Sequence, residues 1–217
     1  MTPEEIIQKT ETYVKEKFTG ESSGHDWWHI YRVWKLSLSI AQDENADLLT
    51  VQLGALLHDI ADFKFHDGDE TIGPRVAREW LTSLSVDQKV IENVSEIVQK
   101  ISFKGANVAN KMTLLEGKIV QDADRLDAIG AIGIARVFAY GGHAGREMYD
   151  PSIKPVLHTS AEEYKKNSSP SINHFYEKLL LLKDSLNTEA AKVIARDRHQ
   201  FMENFLTEFF DEWDGKK

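Results

Sequence analysis

At 217 residues, with 26 Lys and Arg against 35 Asp and Glu, the chain carries a formal charge of −9. That argues against a polymeric nucleic acid partner, which calls for a basic footprint. It has no cysteine, so disulfides, thiolate ligands and thiol catalysis are excluded; no apolar run approaches the ~20 residues of a membrane span and no signal-peptide pattern opens it, so a soluble cytoplasmic protein without a membrane partner is the expectation.

Thr2-Pro3-Glu4-Glu5 reads as a capping box with Pro at the first helical position. It starts a helix through Ile6, Ile7, Thr10, Tyr13, Val14 and Phe18 that stops at Gly20. Ser23-Gly24-His25-Asp26 opens a second helix. Trp27, Trp28, Ile30, Tyr31, Val33, Trp34, Leu36, Leu38 and Ile40 make it apolar on more than one face, which predicts a central position. Asn45-Ala46-Asp47 caps a third, which runs through Leu48, Leu49, Leu53, Leu56 and Leu57 into His58-Asp59. A polar loop over 63–73 follows, then a fourth helix over about 74–84. Ser85-Val-Asp-Gln88 reads as a further capping box, before a fifth helix with Val90, Ile91, Val94, Ile97, Val98 and Ile101 inward.

After a loop at 105–111, Thr113-Leu-Leu-Glu116 is another capping box. It leads into Asp122-Ala-Asp124-Arg-Leu-Asp127 and a Gly- and Ala-rich helix that ends at Gly141-Gly142. Its small residues predict close approach of a neighbouring helix in the core. The irregular stretch 142–169 is a candidate lid. From Ser171 two long helices are expected, one through Phe175, Leu179, Leu180 and Leu182, the other from about Thr188 to Trp213. With no repeat, no linker and no alternating strand pattern, the expected fold is all-α and single-domain over 1–217.

His-Asp pairs alone say little. The composition supplies roughly 0.6 of them by chance, and His25-Asp26, His58-Asp59 and His66-Asp67 are all present. His58-Asp59 stands out because it emerges from an apolar run, where unpaired ionisable groups are costly. Together with His29 and Asp124 it makes a mixed N/O set suited to one divalent ion: Mn, Mg, Fe, Co, Ni or Zn. Adjacent His58 and Asp59 diverge by ~100° on a helix. Both reach one ion only if their helix lies alongside it and the other ligands come from other helices. The spacing His25-Asp-Trp-Trp-His29 mimics the zinc-protease pattern, but with Asp in place of Glu and no matching downstream ligand. His25 and Asp26 therefore read as a cap and as hydrogen-bond partners of the site. His66-Asp67, beside Gly68, reads as a turn.

His29 in Gly-His-Asp-Trp-Trp-His-Ile-Tyr-Arg-Val, His58-Asp59 in Ala-Leu-Leu-His-Asp-Ile, and Asp124 in Gln-Asp-Ala-Asp-Arg-Leu-Asp resemble the HD superfamily of metal-dependent phosphohydrolases. The resemblance spans about 23–140 and is nearest to the small stand-alone bacterial members. Ile-Asn-His-Phe-Tyr-Glu-Lys in the tail is similar to their nucleotide-hydrolysing branch. It implies an all-helical fold and one divalent metal held by His29, His58, Asp59 and Asp124. The extra histidines of binuclear members and the Gly-Tyr-Pro element of cyclic-dinucleotide phosphodiesterases are missing, which implies a mononucleotide-sized substrate.

A carboxylate must orient or deprotonate the attacking water. Asp62, three residues past Asp59, is the candidate, and the resemblance supports the same choice. Phosphate oxygens need cations. Arg32, Lys64, Lys100, Lys104, Arg125 and Lys178 are the candidates, and Asp127 either pairs with a nearby cation or touches substrate. The resulting expectation is a metal-dependent phosphohydrolase acting on a nucleotide or similar small phosphate ester, with release of pyrophosphate from nucleoside triphosphates as a specific option. The alternatives are a metal-dependent nucleotide-sensing module without turnover, and a lyase or oxygenase on the same scaffold, which needs a second metal and more histidines. The oligomeric state stays open, with a homodimer among the options.

Overall fold

Several helices begin where a side chain takes up the first unpaired backbone N–H groups. In a computed structural model describing residues 1–20, 26–61, 69, 71–101, 112–157 and 169–217, α1 (Pro3–Lys17) starts on the expected capping box. Thr2 Oγ1 accepts from Glu5 N at 3.3 Å and Glu5 Oε2 accepts from Thr2 N at 2.9 Å. Asp26 caps α2 (Trp27–Ala41) and Asp47 caps α3 (Leu48–Leu57). α4 spans Ile72–Ser83 and α5 spans Gln88–Lys100. α6 is Leu115–Asp127 and α7 is Gly130–His143. A short α8, Asn173–Glu177, runs into a 3-10 segment, Leu179–Ser185, and α9 is Glu189–Trp213, capped by Thr188. The described residues contain no strand, so the all-α expectation holds. Their contacts group them into two compact units, and the boundary falls inside α6 between Asp124 and Arg125.

In the first unit α3 is the enclosed element. Val51 and every residue from Leu53 to Leu57 are buried, and α1, α2 and α5 pack around it. Gly54 permits this approach. A Cβ at that position would stand 3.0 Å from Ile97 Cδ1 and 3.5 Å from Val120 Cγ2. The central helix is therefore α3 rather than α2, whose outer side leaves Trp28 and Lys35 exposed. In the second unit α7 packs on α9, and Phe138, Phe175 and Phe205 join in ring contacts of 5.7–6.3 Å.

Three local expectations are corrected. The box at Ser85–Gln88 is not used: Asp87 caps α5 through Lys89 N at 2.9 Å, and Ser85 turns the chain at φ 55. Glu116 does not close its own box. Its Oε1 accepts from Asp47 N, 2.9 Å away at the start of α3. The first long C-terminal helix stops after α8, because Lys178 leaves helical geometry at φ −144. In the 3-10 segment that follows, positions i and i+3 eclipse, which turns both Leu179 and Leu182 inward. Among the small residues of α7, Gly133 and Gly141 are buried, while Ala131, Ala135 and Ala139 are exposed. A Cβ at these two glycines would meet the Ala128 carbonyl and Ser171 Oγ, each at 2.2 Å.

Candidate metal centre

His29 lies in the first turn of α2. Its backbone N–H donates to the capping carboxylate of Asp26 at 2.9 Å, so the expected cap directly fixes the turn that carries a candidate ligand. His58 closes α3 as its C-cap residue, and Asp59 follows in the turn. His58 keeps right-handed helical angles at φ −56 and ψ −35, so the pair still diverges as helical neighbours do, and the end of α3 must lie alongside the point that both groups reach. His58 Nδ1 donates to Ala55 O at 2.8 Å, which leaves Nε2 with its lone pair facing the cluster in the neutral ring. Asp124 arrives from α6, near its C-terminal end.

The four groups converge within the first unit. His29 Nε2 stands 3.2 Å from His58 Nε2, 3.5 Å from Asp59 Oδ2 and 3.5 Å from Asp124 Oδ1. His58 Nε2 is 3.5 Å from Asp59 Oδ2 and 4.0 Å from Asp124 Oδ1. One ion with ligands at ~2.1 Å spaces neighbouring donors by about 3.0–3.4 Å, so these separations have the scale of a shared coordination sphere. His29, His58 and Asp59 meet the geometry of a three-ligand metal group. Both imidazoles are buried, while Asp59 is 14% and Asp124 31% exposed in their side chains, so the carboxylate side of the cluster is the side open to solvent. Burial lowers the His58 pKa, but Asp59, by charge and hydrogen bond, then Asp124 and the Ala55 carbonyl, outweigh it and raise the ring to about 9. A doubly anionic pocket that holds a proton so firmly is a pocket that suits a cation.

The remaining candidates divide. Lys100, at the end of α5, pairs with Glu96 at 2.7 Å. Arg32 is half-buried on α2, three residues past His29. Arg125 is buried in the second unit, where its guanidinium donates to Ser185 O. Asp127 is buried and pairs with Arg136 at 2.7 Å, the ion-pair option among its two expected roles. Lys178 ends α8 and, with Arg146, presses the His174 imidazole, which burial first of all drives down to about 3. His25, Asp62, Lys64, Lys104 and the turn at His66-Asp67 lie outside the described residues. α3 ends at Leu57, and Asp59 lies in the turn that follows. Of the candidate lid, the described part is laced to the turn before α8 and to α8 itself. Ser171 N and Ile172 N donate to Glu147 O and Met148 O at 2.9 and 3.0 Å, Asn173 Nδ2 donates to Ile153 O at 3.0 Å, and Val156 N donates to Glu177 Oε1 at 3.2 Å. Sequence reasoning missed the Ala55 carbonyl, whose role follows from its position one turn before a C-cap imidazole and from no side-chain signal.

No helix among the described residues is long and apolar enough to cross a membrane. The HD domain family model matches residues 27–129, the stretch that carries all four groups. The YpgQ protein of Bacillus subtilis is 38% identical over 202 residues, 92% of this chain and 89% of its own length. Its crystal structure in complex with ADP aligns with a TM-score of 0.74 at 35% identity, over 95% of this chain and 97% of that one. A crystal structure from Lactobacillus plantarum aligns at TM-score 0.86 and 37% identity, over 99% and 100% of the two chains. An HD-superfamily hydrolase of Bacillus thuringiensis aligns at TM-score 0.77 and 44% identity, over 98% and 99%. Likeness of this extent goes beyond a shared motif, and the chain belongs to the HD domain family.

Proposed function

We propose that this protein is a metal-dependent phosphohydrolase whose substrate is a nucleotide or a nucleotide-like phosphate ester. The observation that carries the reading is the convergence of two buried imidazoles and two carboxylates from α2, the end of α3 and α6. His29, His58, Asp59 and Asp124 would hold one divalent ion. Such an ion, when bound, lowers the pKa of water and offsets charge on a phosphoryl group. The rest falls to the chain. The Asp26 cap fixes the turn that carries His29, and the Ala55 carbonyl holds the His58 imidazole in its orientation. Asp62 takes the proton of the attacking water, and Arg32 and the Lys candidates neutralise the phosphate oxygens.

The complex of YpgQ with ADP supports a nucleotide-sized substrate, and pyrophosphate release from nucleoside triphosphates is the specific activity we favour. Residues 1–217 act as one HD-type domain in this proposal, with 142–169 as its candidate lid. The purified protein should be screened against nucleotides and simple phosphate esters with Mn, Mg, Co and Ni, with phosphorus NMR identifying the products. Hydrolysis that requires metal is the expected result. Nucleotide binding with no product under any metal would instead point to a sensing module.

A further inference from the structure

The first turn of α2 carries a feature that the metal centre leaves unexplained. Of the five tryptophans, four have packing roles. Trp27 lies under Lys15 Nζ at 4.7 Å. Trp34 donates to Gln52 Oε1 at 3.2 Å. Trp80 stacks on Tyr13 at 4.0 Å and donates to Thr10 Oγ1. Trp213 packs against Tyr149 at 5.1 Å and Phe209 at 5.9 Å. Trp28 is 61% exposed, and its ring meets Tyr31 edge-on at 5.9 Å. Tyr31 is itself held, 6.4 Å from Trp34 and beneath Lys35 Nζ at 5.4 Å. The indole is thus steadied by a fixed neighbour and still open to solvent.

Its place on the helix is specific. Trp28 immediately precedes the ligand His29, in the turn that Asp26 caps. At ~100° per residue, Arg32 projects about 60° from His29 and about 40° from Trp28, so it lies between them around the helix. Helical side chains tilt toward the N-terminus, so Arg32 leans back over the turn that carries both. Around α2 the order is a buried ligand, a half-buried cation and an exposed indole. A nucleotide has its parts in the same order: reacting phosphorus, anionic oxygens, base.

We propose that Trp28 is the base-stacking platform of this site and that Arg32 spans the phosphates between it and the metal centre. The inference rests on the nucleotide reading above and adds a specificity to it. Every base offers a π face, so a stacking platform favours nucleotides over base-free phosphates while discriminating weakly among bases.

The test is kinetic and spectroscopic, on the full chain with its metal. Trp28→Ala is expected to raise KM for the best nucleotide substrate roughly tenfold, as loss of one base–aromatic stack does, with the loss falling in KM rather than kcat. Inhibition by inorganic tripolyphosphate, which has phosphates and no base, is expected to keep its wild-type Ki. Trp28→Phe should restore most of the KM. AMP should quench indole emission in the wild type, and the quench should disappear in Trp28→Phe. An unchanged KM in Trp28→Ala, or an equal rise in the tripolyphosphate Ki, overturns the platform while leaving nucleotide hydrolysis standing. A wild type that hydrolyses no nucleotide with any metal overturns the functional reading and the platform with it.

Discussion

The Nε2 atoms of His29 and His58 stand 3.2 Å apart in the buried part of the first unit. Two imidazole nitrogens at that distance share either one proton or one cation, because two lone pairs or two protons facing each other there repel. With Asp59 and Asp124 closing the other sides, a divalent ion would satisfy all four groups. His58→Ala or Asp59→Ala is therefore expected to remove both bound metal, measured by elemental analysis, and hydrolysis. Full activity in a metal-free Asp59→Ala protein would overturn the assignment.

The proton and the ion compete for the same place. Without metal, His58 keeps its proton up to about 9, above the ordinary value of 6.5: burial opposes the proton, and Asp59 and Asp124 outweigh it. A folded-state pKa above the unfolded one stabilises the fold fully below about 6.5, and this contribution fades as pH rises toward about 9. Urea midpoints of chelator-treated protein should fall across that window, and less steeply in Asp59→Asn. Metal affinity should rise over the same interval, as the ion has less proton to displace.

Asp62→Ala is expected to retain stoichiometric metal and lose turnover by roughly 10²–10⁴-fold, the usual contribution of a positioned general base. Elemental analysis and single-turnover assays on one preparation separate the two effects. Loss of metal together with activity would make Asp62 a ligand or a structural support.

Gly133→Ala should destabilise the protein by about 1–3 kcal/mol, since its Cβ would sit 2.2 Å from the Ala128 carbonyl oxygen. Gly142→Ala in the same helix meets nothing within 4 Å. It should be neutral or gain up to about 1 kcal/mol from helix propensity. Paired denaturation curves check the contrast.

His174 gives the opposite pH signature to His58. Burial, then Lys178 and Arg146, drive its pKa down to about 3. As pH falls from about 6.5 toward about 3, the unfolded chain takes up a proton that the folded chain refuses, so stability is lost. His174→Gln should lessen the drop in melting temperature between neutral and mildly acidic buffer. An unchanged acid profile would show that the ring is protonated in the folded state.

Local chemistry made much of this protein legible in advance. The Thr2 box, the Asp26 and Asp47 caps and the inward side of α5 are written in neighbouring residues, because helix starts and amphipathic faces depend on atoms within a turn or two. The candidate cluster was legible for a different reason: ionisable groups such as His58 and Asp59, emerging from an apolar helical run, have few ways to be satisfied. What the sequence could not supply was long-range choice. Glu116 had an adequate local role in its own capping box, and the fold uses it on Asp47 instead. A leucine run fits an α-helix or a 3-10 segment equally well until packing selects the inward pair Leu179 and Leu182. His58 and Asp59 read as helical neighbours that diverge. Only the tertiary structure laid the end of α3 beside α2 and α6, so that both face His29 and Asp124, because a ligand sphere is fixed by where separate helices meet rather than by the order of residues along one.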